Sequence, residues 1–598
     1  MTLLSSLACL LCSLVTCLNQ CSAVPIPSCP ANDCIIYTAP PSPTNTSLQV
    51  TLPFGLVFGT TTDYAAHRFT LPYARPPVGL LRFSSPQPLS PFTTVYNATQ
   101  LPKACMQQPD SRYGISEENI SEDCLYLNIY RPAKGAVGRP VLVWVHGGSF
   151  VQGSSTAPGL DGSWLASRYN IVVVTVQYRL GMFGFFSPTG FTDESASSSS
   201  SNIQGNQGVR DTVSALQFIH DNIGSFGGNP NSVTLAGQSS GAHLIRSLLN
   251  APSAASLFQR AILHSDPANF GTPTLKTSAD VSDFALSQTD CSDLQCLRSM
   301  SAVDLLSAST TTVQAGQSID ASVAMGEVWR PFLGDLIGPA FEQDPSAATA
   351  SKPIIFTNVE NEGGSMVGTM LLPTGAGASS AELRACPVTM TREQLLDEMF
   401  NAGRGGKLSN VTQYGMNTNT SAYPSPARVE LYSQSNDSLR RNLETVLTQG
   451  EFTCPTWFNA QRYSTKAPSY VTLFEKGIRY PSNVGNDYCQ DDRVCHEDDI
   501  QLVFTDPGKV DATKREVVKE VQARWVGFAT NGDPNTDKYG GWRSVGAGQQ
   551  SARVLRLGVR TSGAASSVLD TISLQTAQYA ACGQVWHSEI KFDWQLYG

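Results

Sequence analysis

The stretch VTLAGQSSGAHLIRSLL (233–249) sets Ser239 between Gly237 and Gly241, where a β-branched run gives way to a helical one. A G-x-S-x-G sequence in that setting makes a turn so tight that the positions flanking the serine must lack bulk. The seryl oxygen then projects from the end of the strand. The strain of such a turn is tolerated because the N-terminus of the following helix helps to stabilise negative charge that develops there. The chemistry on offer is nucleophilic attack by a hydroxyl. In a chain with 49 glycines the bare pattern carries little; its place between strand and helix gives it weight.

A serine hydroxyl is a weak nucleophile at neutral pH and needs a base within hydrogen-bond reach. In this arrangement the chain order is nucleophile, acid, histidine. Of seven histidines, His67, His146 and His220 precede Ser239, and His243 and His264 come before any suitable acid. His496 and His587 remain. His496 follows the strand-like YVTLFE by a loop, where an imidazole can overhang a sheet edge, and it is the expected base. His587, in CGQVWHSEIKF, reads as a surface or packing residue.

The acid is expected just beyond an earlier strand. After KPIIFTNV comes ENEGG, which offers Glu360 and Glu362, and spacing does not separate them. Such a carboxylate would fix the imidazole tautomer and stabilise imidazolium without taking the proton itself. The stretch VLVWVHGGSF (141–150) runs from a strand into His146-Gly147-Gly148-Ser149, a loop whose small residues leave backbone N–H groups free to face inward. With the N–H of Ser240 they would bind the oxyanion of a tetrahedral intermediate. One such donor is worth about 10²–10³ in rate.

These groups need a rigid frame. From residue 141 onward, the apolar runs VLVWVH, IVVVTVQY, SVTLAG, KPIIFTNV and YVTLFE alternate with amphipathic stretches such as DTVSALQFIHDNI. Continuous apolar strands separated by helices predict an α/β fold, with a large, mostly parallel sheet covered on both faces. ESASSSSSN (194–202) is a low-complexity loop. No repeat or interdomain linker interrupts the chain, so residues 24–598 read as one domain.

With 598 residues and 41% apolar content, the chain can bury a large core, and a net charge of −9 with no basic run gives no footprint for nucleic acid. Residues 1–23 form an apolar stretch closing on Ser22-Ala23, which suits a secretory signal peptide, although no Lys or Arg precedes its apolar core. No later segment is apolar enough to span a bilayer, so stable membrane insertion is not expected. Cys9, Cys12, Cys17 and Cys21 would leave with the signal, and eleven cysteines remain. The close pairs Cys29/Cys34, Cys291/Cys296 and Cys489/Cys495 suit short disulfide loops. Neither the cysteines nor the few histidines show metal-ligand spacing, and the chemistry calls for no metal or cofactor. Sequons at Asn45, Asn97, Asn119, Asn410, Asn419 and Asn436 fit a glycosylated surface.

Together these residues resemble the type-B carboxylesterase/lipase family, the cholinesterase-like α/β-hydrolases that include many secreted fungal esterases. The motifs run from RFTLPYARPPVGLLRFSSPQP (68–88) through SEDCLYLNIYRP (121–132), HGGSF, GQSSGAHL, VENEGG and VCHEDD to WVGFATNGDPN (525–535). The resemblance implies an α/β-hydrolase fold with long loop insertions around the substrate, and Glu362 as the acid. It implies oxyanion donors at Gly148, Ser149 and Ser240, disulfides Cys105–Cys124 and Cys291–Cys296, and ion pairs Arg82–Glu122 and Arg179–Asp211. Cys489–Cys495 would clip the loop carrying His496. The implied activity is hydrolysis of small carboxylic esters through an acyl-enzyme on Ser239. A lipase and a catalytically silent binding protein on the same fold are the alternatives.

Three departures stand out. Gln238 replaces the glutamate common before the nucleophile, which lowers the expected pull on cationic substrates. Ser240 replaces a common alanine, and Asp266 a common glycine. The 18 residues between Cys105 and Cys124 contain no tryptophan for a quaternary ammonium, and are shorter and more polar than a lipase lid. Ser265 is a candidate hydroxyl behind the triad.

Overall fold

The computed structural model describes residues 46–573, apart from 192–204, 339–350, 367–443 and a few shorter stretches, together with Cys582. Cys29, Cys34, Cys386, His587 and the sequons at Asn45, Asn410, Asn419 and Asn436 lie outside the described residues, as does the signal-like segment.

Eleven strands form the main sheet: β1 (Thr60–Thr61), β2 (Ala66–Pro72), β3 (Tyr126–Pro132), β4 (Arg139–Val145), β5 (Val172–Val176), β6 (Gly228–Gln238), β7 (Arg260–His264), β8 (Ile354–Val359), β9 (Ser469–Phe474), β10 (Ser551–Thr561) and β11 (Ala564–Ser573). Their spatial order is β11-β10-β9-β8-β7-β6-β4-β5-β3-β2-β1. From β5 through β4 to β10 every junction is parallel; the outer junctions are antiparallel. The five apolar runs picked out of the sequence are β4, β5, β6, β8 and β9.

Alternation along each strand splits the interior in two. Val141, Val143, Val145, Val174 and Leu235 pack with Leu216 and Ile219 of α1 (Gln207–Asn222) and with Leu244, Ile245 and Leu248 of α2 (Ser240–Leu248). The intervening Leu142, Trp144, Val173, Ala236, Ile262 and Ile355 pack with Val517, Val521, Trp525 and Phe528 of α3 (Ala512–Asn531). Both faces are therefore buried, which is why these strands read as unbroken apolar runs rather than alternating ones. Each Val, Leu or Ile taken wholly from water stabilises the fold by about 1.5–3 kcal/mol.

Because β4, β6, β8 and β9 run in parallel, their C-terminal ends share one rim of the sheet. The HGGS loop, Ser239, Glu362 and His496 each follow one of those four ends, where ligands bind in open α/β sheets.

Candidate active site

Ser239 sits in the corner between β6 and α2 with φ 56° and ψ −128°, a backbone conformation few residues with a side chain adopt. The strain is held by its neighbours. Ser239 donates its N–H to the carbonyl of His264 at 2.9 Å, and its own carbonyl accepts from His243 at 3.0 Å. A Cβ on Gly241 would lie 2.3 Å from the carbonyl oxygen of Val145, so the position after Ser240 tolerates only glycine.

The loop after β4 leans against this corner. A Cβ on Gly147 would come within 2.6 Å of the Gln238 carbonyl oxygen and 3.0 Å of the Ser239 Cβ. Gly148, Ser149 and Phe150 follow with φ of 111°, 55° and 59°. Phe150 donates its N–H to Ser240 Oγ at 3.2 Å, which pins the loop to the first turn of α2 and gives the unusual Ser240 a task an alanine could not perform. Among the described residues no hydrogen bond engages the N–H groups of Gly148, Ser149 or Ser240. Unpaired amides flanking a strained serine are what an oxyanion requires. His146, buried and stacked on Tyr178 at 4.6 Å between ring centres, is held by burial at a pKa of about 4 and stays neutral.

Glu362 is wholly buried, and its Oε2 lies 2.6 Å from His496 Nδ1. The backbone N–H of Val359 donates to the other oxygen at 2.8 Å. Glu360 is partly exposed, whereas the buried Glu362 meets His496, so the geometry separates two residues that spacing could not. Asn361 N–H donates to the Val494 carbonyl at 2.9 Å, and Asn361 forms an isolated parallel bridge with Cys495. Burial disfavours a charged imidazole at His496. The hydrogen bond and charge of Glu362, with Glu497 and Asp499 behind it, outweigh that and raise the ring to about 9. Phe452 closes one side of the ring at 5.0 Å between centres.

One expected contact differs. His496 Nε2 lies 3.0 Å from the side-chain nitrogen of Gln238, and no hydrogen bond joins it to Ser239 Oγ. The imidazole is thus at the Ser239 corner, on the side chain immediately preceding the serine. Ser239, Ser149 and His496 all keep partial exposure in a neighbourhood otherwise buried.

A model of the carboxylesterase family matches residues 46–576. The chain belongs to the carboxylesterase family. Carboxylesterase 1E of Mus musculus is 31% identical over 520 residues, covering 81% of this chain and 86% of its own. Carboxylesterase 3 of Homo sapiens is 31% identical over 510 residues, covering 80% and 81%. Among solved structures a PNB esterase superposes with a TM-score of 0.67 at 26% identity, covering 88% of this chain and 98% of its own, and a thermophilic PNB esterase does so with 0.67 at 27%. The α/β-hydrolase fold and carboxylic-ester hydrolysis follow from that membership.

Elsewhere in this carboxylesterase several ion pairs and disulfides hold the frame. Arg82 meets Glu122 through two contacts of 2.6 Å, and Arg179 meets Asp211 through two of 2.7 Å. Cys105–Cys124, Cys291–Cys296 and Cys489–Cys495 are bonded. Cys454–Cys582 is a fourth disulfide, which no reading of the sequence had paired. The loop between Cys105 and Cys124 is pinned rather than free: Gln107 accepts from Gly153 N–H and donates to the Gly153 carbonyl, both at 2.8 Å. Asp266 holds Arg246 Nε at 2.8 Å inside the core. Ser265 is buried, and its hydroxyl makes no hydrogen bond to the triad. The side chain of Asn119 accepts from Ser116 N–H and donates to the Gly114 carbonyl, while Asn97 accepts from the hydroxyl of Thr99, its own sequon.

Two residues near His496 carry little signal in the sequence. In the sequence Gln238 stands out only for its missing charge. Glu497, next to the base, adopts φ 78° and accepts from Tyr113 Oη at 3.1 Å and from Ser482 Oγ. Its place directly after the histidine in VCHEDD was the only signal.

Proposed function

We propose that this chain is a secreted, glycosylated serine carboxylesterase. In this reading His496, oriented by Glu362, takes the proton of Ser239. The seryl oxygen attacks the ester carbonyl, and the amides of Gly148, Ser149 and Ser240 receive the oxyanion. The alcohol leaves with the proton from His496, and water releases the acid by the reverse path. The observation that carries this is the 2.6 Å contact between Glu362 and His496 beside a serine held at φ 56°. The N-terminal apolar segment, the sequons and the disulfides support export.

The short, pinned loop between Cys105 and Cys124 favours small, soluble esters over interfacial acylglycerols. Ser239→Ala should remove nearly all turnover of a chromogenic short-chain ester with the melting temperature unchanged, and a fluorophosphonate should label the wild type at Ser239 alone. Wild-type turnover in that variant refutes the assignment. A chain-length series across the micellar threshold tests the substrate class: activation above the threshold would mark a lipase.

A further inference from the structure

His496 Nδ1 carries the proton that Glu362 accepts, so in the neutral ring Nε2 offers a lone pair. Two nitrogens 3.0 Å apart, Gln238 Nε2 and His496 Nε2, form a hydrogen bond only if one donates, and the amide N–H₂ is the one that has hydrogens to give. The Gln238 side chain is wholly enclosed. Its oxygen has no hydrogen-bond partner and abuts Gly147, where a Cβ would lie 2.7 Å away. Gln238 is thus confined between the glycine loop and the base.

On the reading that Ser239, His496 and Glu362 form the catalytic triad, we propose that Gln238 is a positioning residue. Its amide occupies the acceptor nitrogen of His496 whenever the ring is neutral, so that Ser239 must displace it before giving up its proton. The amide N–H binds only the neutral ring. It therefore opposes the carboxylates of Glu362, Glu497 and Asp499, which favour the protonated one. Once Nε2–H forms, an amide N–H facing it is repelled, and the side chain must turn to present its oxygen. A glutamate at this position would do the opposite from the start, accepting from Nε2–H and holding the ring charged.

The test is the pH dependence of kcat/KM for a short-chain p-nitrophenyl ester, whose ascending limb reports the base in the free enzyme. Three proteins are compared: wild type, Gln238→Met and Gln238→Glu. Methionine keeps the length and apolar bulk but donates nothing. Its limb should move up by roughly half a unit to one unit, the equivalent of one neutral hydrogen bond lost from the neutral ring. The limb of Gln238→Glu should move further, by more than one unit. Superimposable limbs in all three overturn the proposal and reduce Gln238 to packing. If a variant does not fold, a crystal structure of the ligand-free wild type at high pH decides: Gln238 on Nε2 supports the proposal and Ser239 Oγ on Nε2 overturns it. Failure of the triad itself would show separately, as activity retained in Ser239→Ala.

Discussion

Asn361 and Val494 clasp each other across two loops: the backbone N–H of Asn361 donates to the Val494 carbonyl at 2.9 Å, and Asn361 Oδ1 accepts the Val494 N–H at 3.0 Å. One residue further along each strand of this clasp stand Glu362 and Cys495, and then His496. Glu362 and His496 come from segments more than a hundred residues apart, and this clasp sets their spacing. Asn361→Ala removes the side-chain half of it, whereas Asn361→Asp keeps the acceptor oxygen. A base displaced by a fraction of an ångström costs rate rather than binding. Asn361→Ala should therefore lower kcat by about 10- to 100-fold with KM within about twofold, and Asn361→Asp should keep most of the activity. Equal loss in both variants would mean the oxygen of Asn361 is not what matters.

The charge on His496 gives a second expectation. Burial works against imidazolium, and the hydrogen bond and charge of Glu362 outweigh it, lifting the ring to about 9. Gln238, binding the neutral ring, acts in the other direction. The ascending limb of kcat/KM should thus fall above the ordinary 6.5 and below about 9. Glu362→Gln removes the dominant raising cause and leaves burial opposed by the weaker pull of Glu497 and Asp499. Its limb should drop below 6.5, with kcat reduced by about 10³–10⁴. Stability follows the opposite trend. A histidine that binds its proton more tightly folded than unfolded contributes stability that is fully present below 6.5 and is lost as the pH rises through about 9. The enzyme should grow more active and less heat-stable over the same interval. A limb unmoved by Glu362→Gln would break the link between the two residues.

Most of the frame was legible because its strands are buried on both faces. A run such as VVVTV admits few other readings, and chain order then restricted the base to His496 or His587. Other features depended on turns that no spacing reveals. Glu362 is separated from Glu360 by the tight return of its carboxylate onto the Val359 N–H. The Gln238 contact involves a side chain lying against Gly147, which no spacing announces. Glu497 adopts a left-handed backbone with its carboxylate held by Ser482 and by Tyr113, the latter far away in sequence. Asp266 made no sense in the sequence until Arg246, buried on the nucleophile helix, appeared beside it.

The disulfides separate stability from catalysis. Cys454–Cys582 closes a span of 128 residues, and Cys489–Cys495 one of only 6. Loop-closure entropy assigns them about 5 and about 2 kcal/mol respectively. The short one, however, lies directly under the site: a Cβ on Gly364 would come within 2.7 Å of Cys495 Sγ, and Cys495 precedes the base. Removing Cys454–Cys582 by double alanine substitution should lower the melting temperature more while kcat holds within about twofold. Removing Cys489–Cys495 should lower it less and reduce kcat by about tenfold. Thermal melts beside steady-state kinetics read both, and the reverse pattern would contradict the roles given to the two bridges.

Arg246 and Asp266 form a fully buried ion pair on the nucleophile helix and the strand-end loop beside it, joined at 2.8 Å. Burial raises the Asp266 carboxyl, and Arg246 pulls it back. A buried charge depends on its partners; Asp266 is held by Arg246, which also acts on the buried Glu327, and breaking a buried pair costs up to about 3–5 kcal/mol. Asp266→Ala and Arg246→Met should each destabilise the protein by that order in denaturant unfolding. The double variant removes both members of the pair, so its loss should be smaller than the sum by about 1 kcal/mol or more. Additive losses would show that the two side chains are adjacent without being coupled, and would leave the aspartate in this loop without its physical reason.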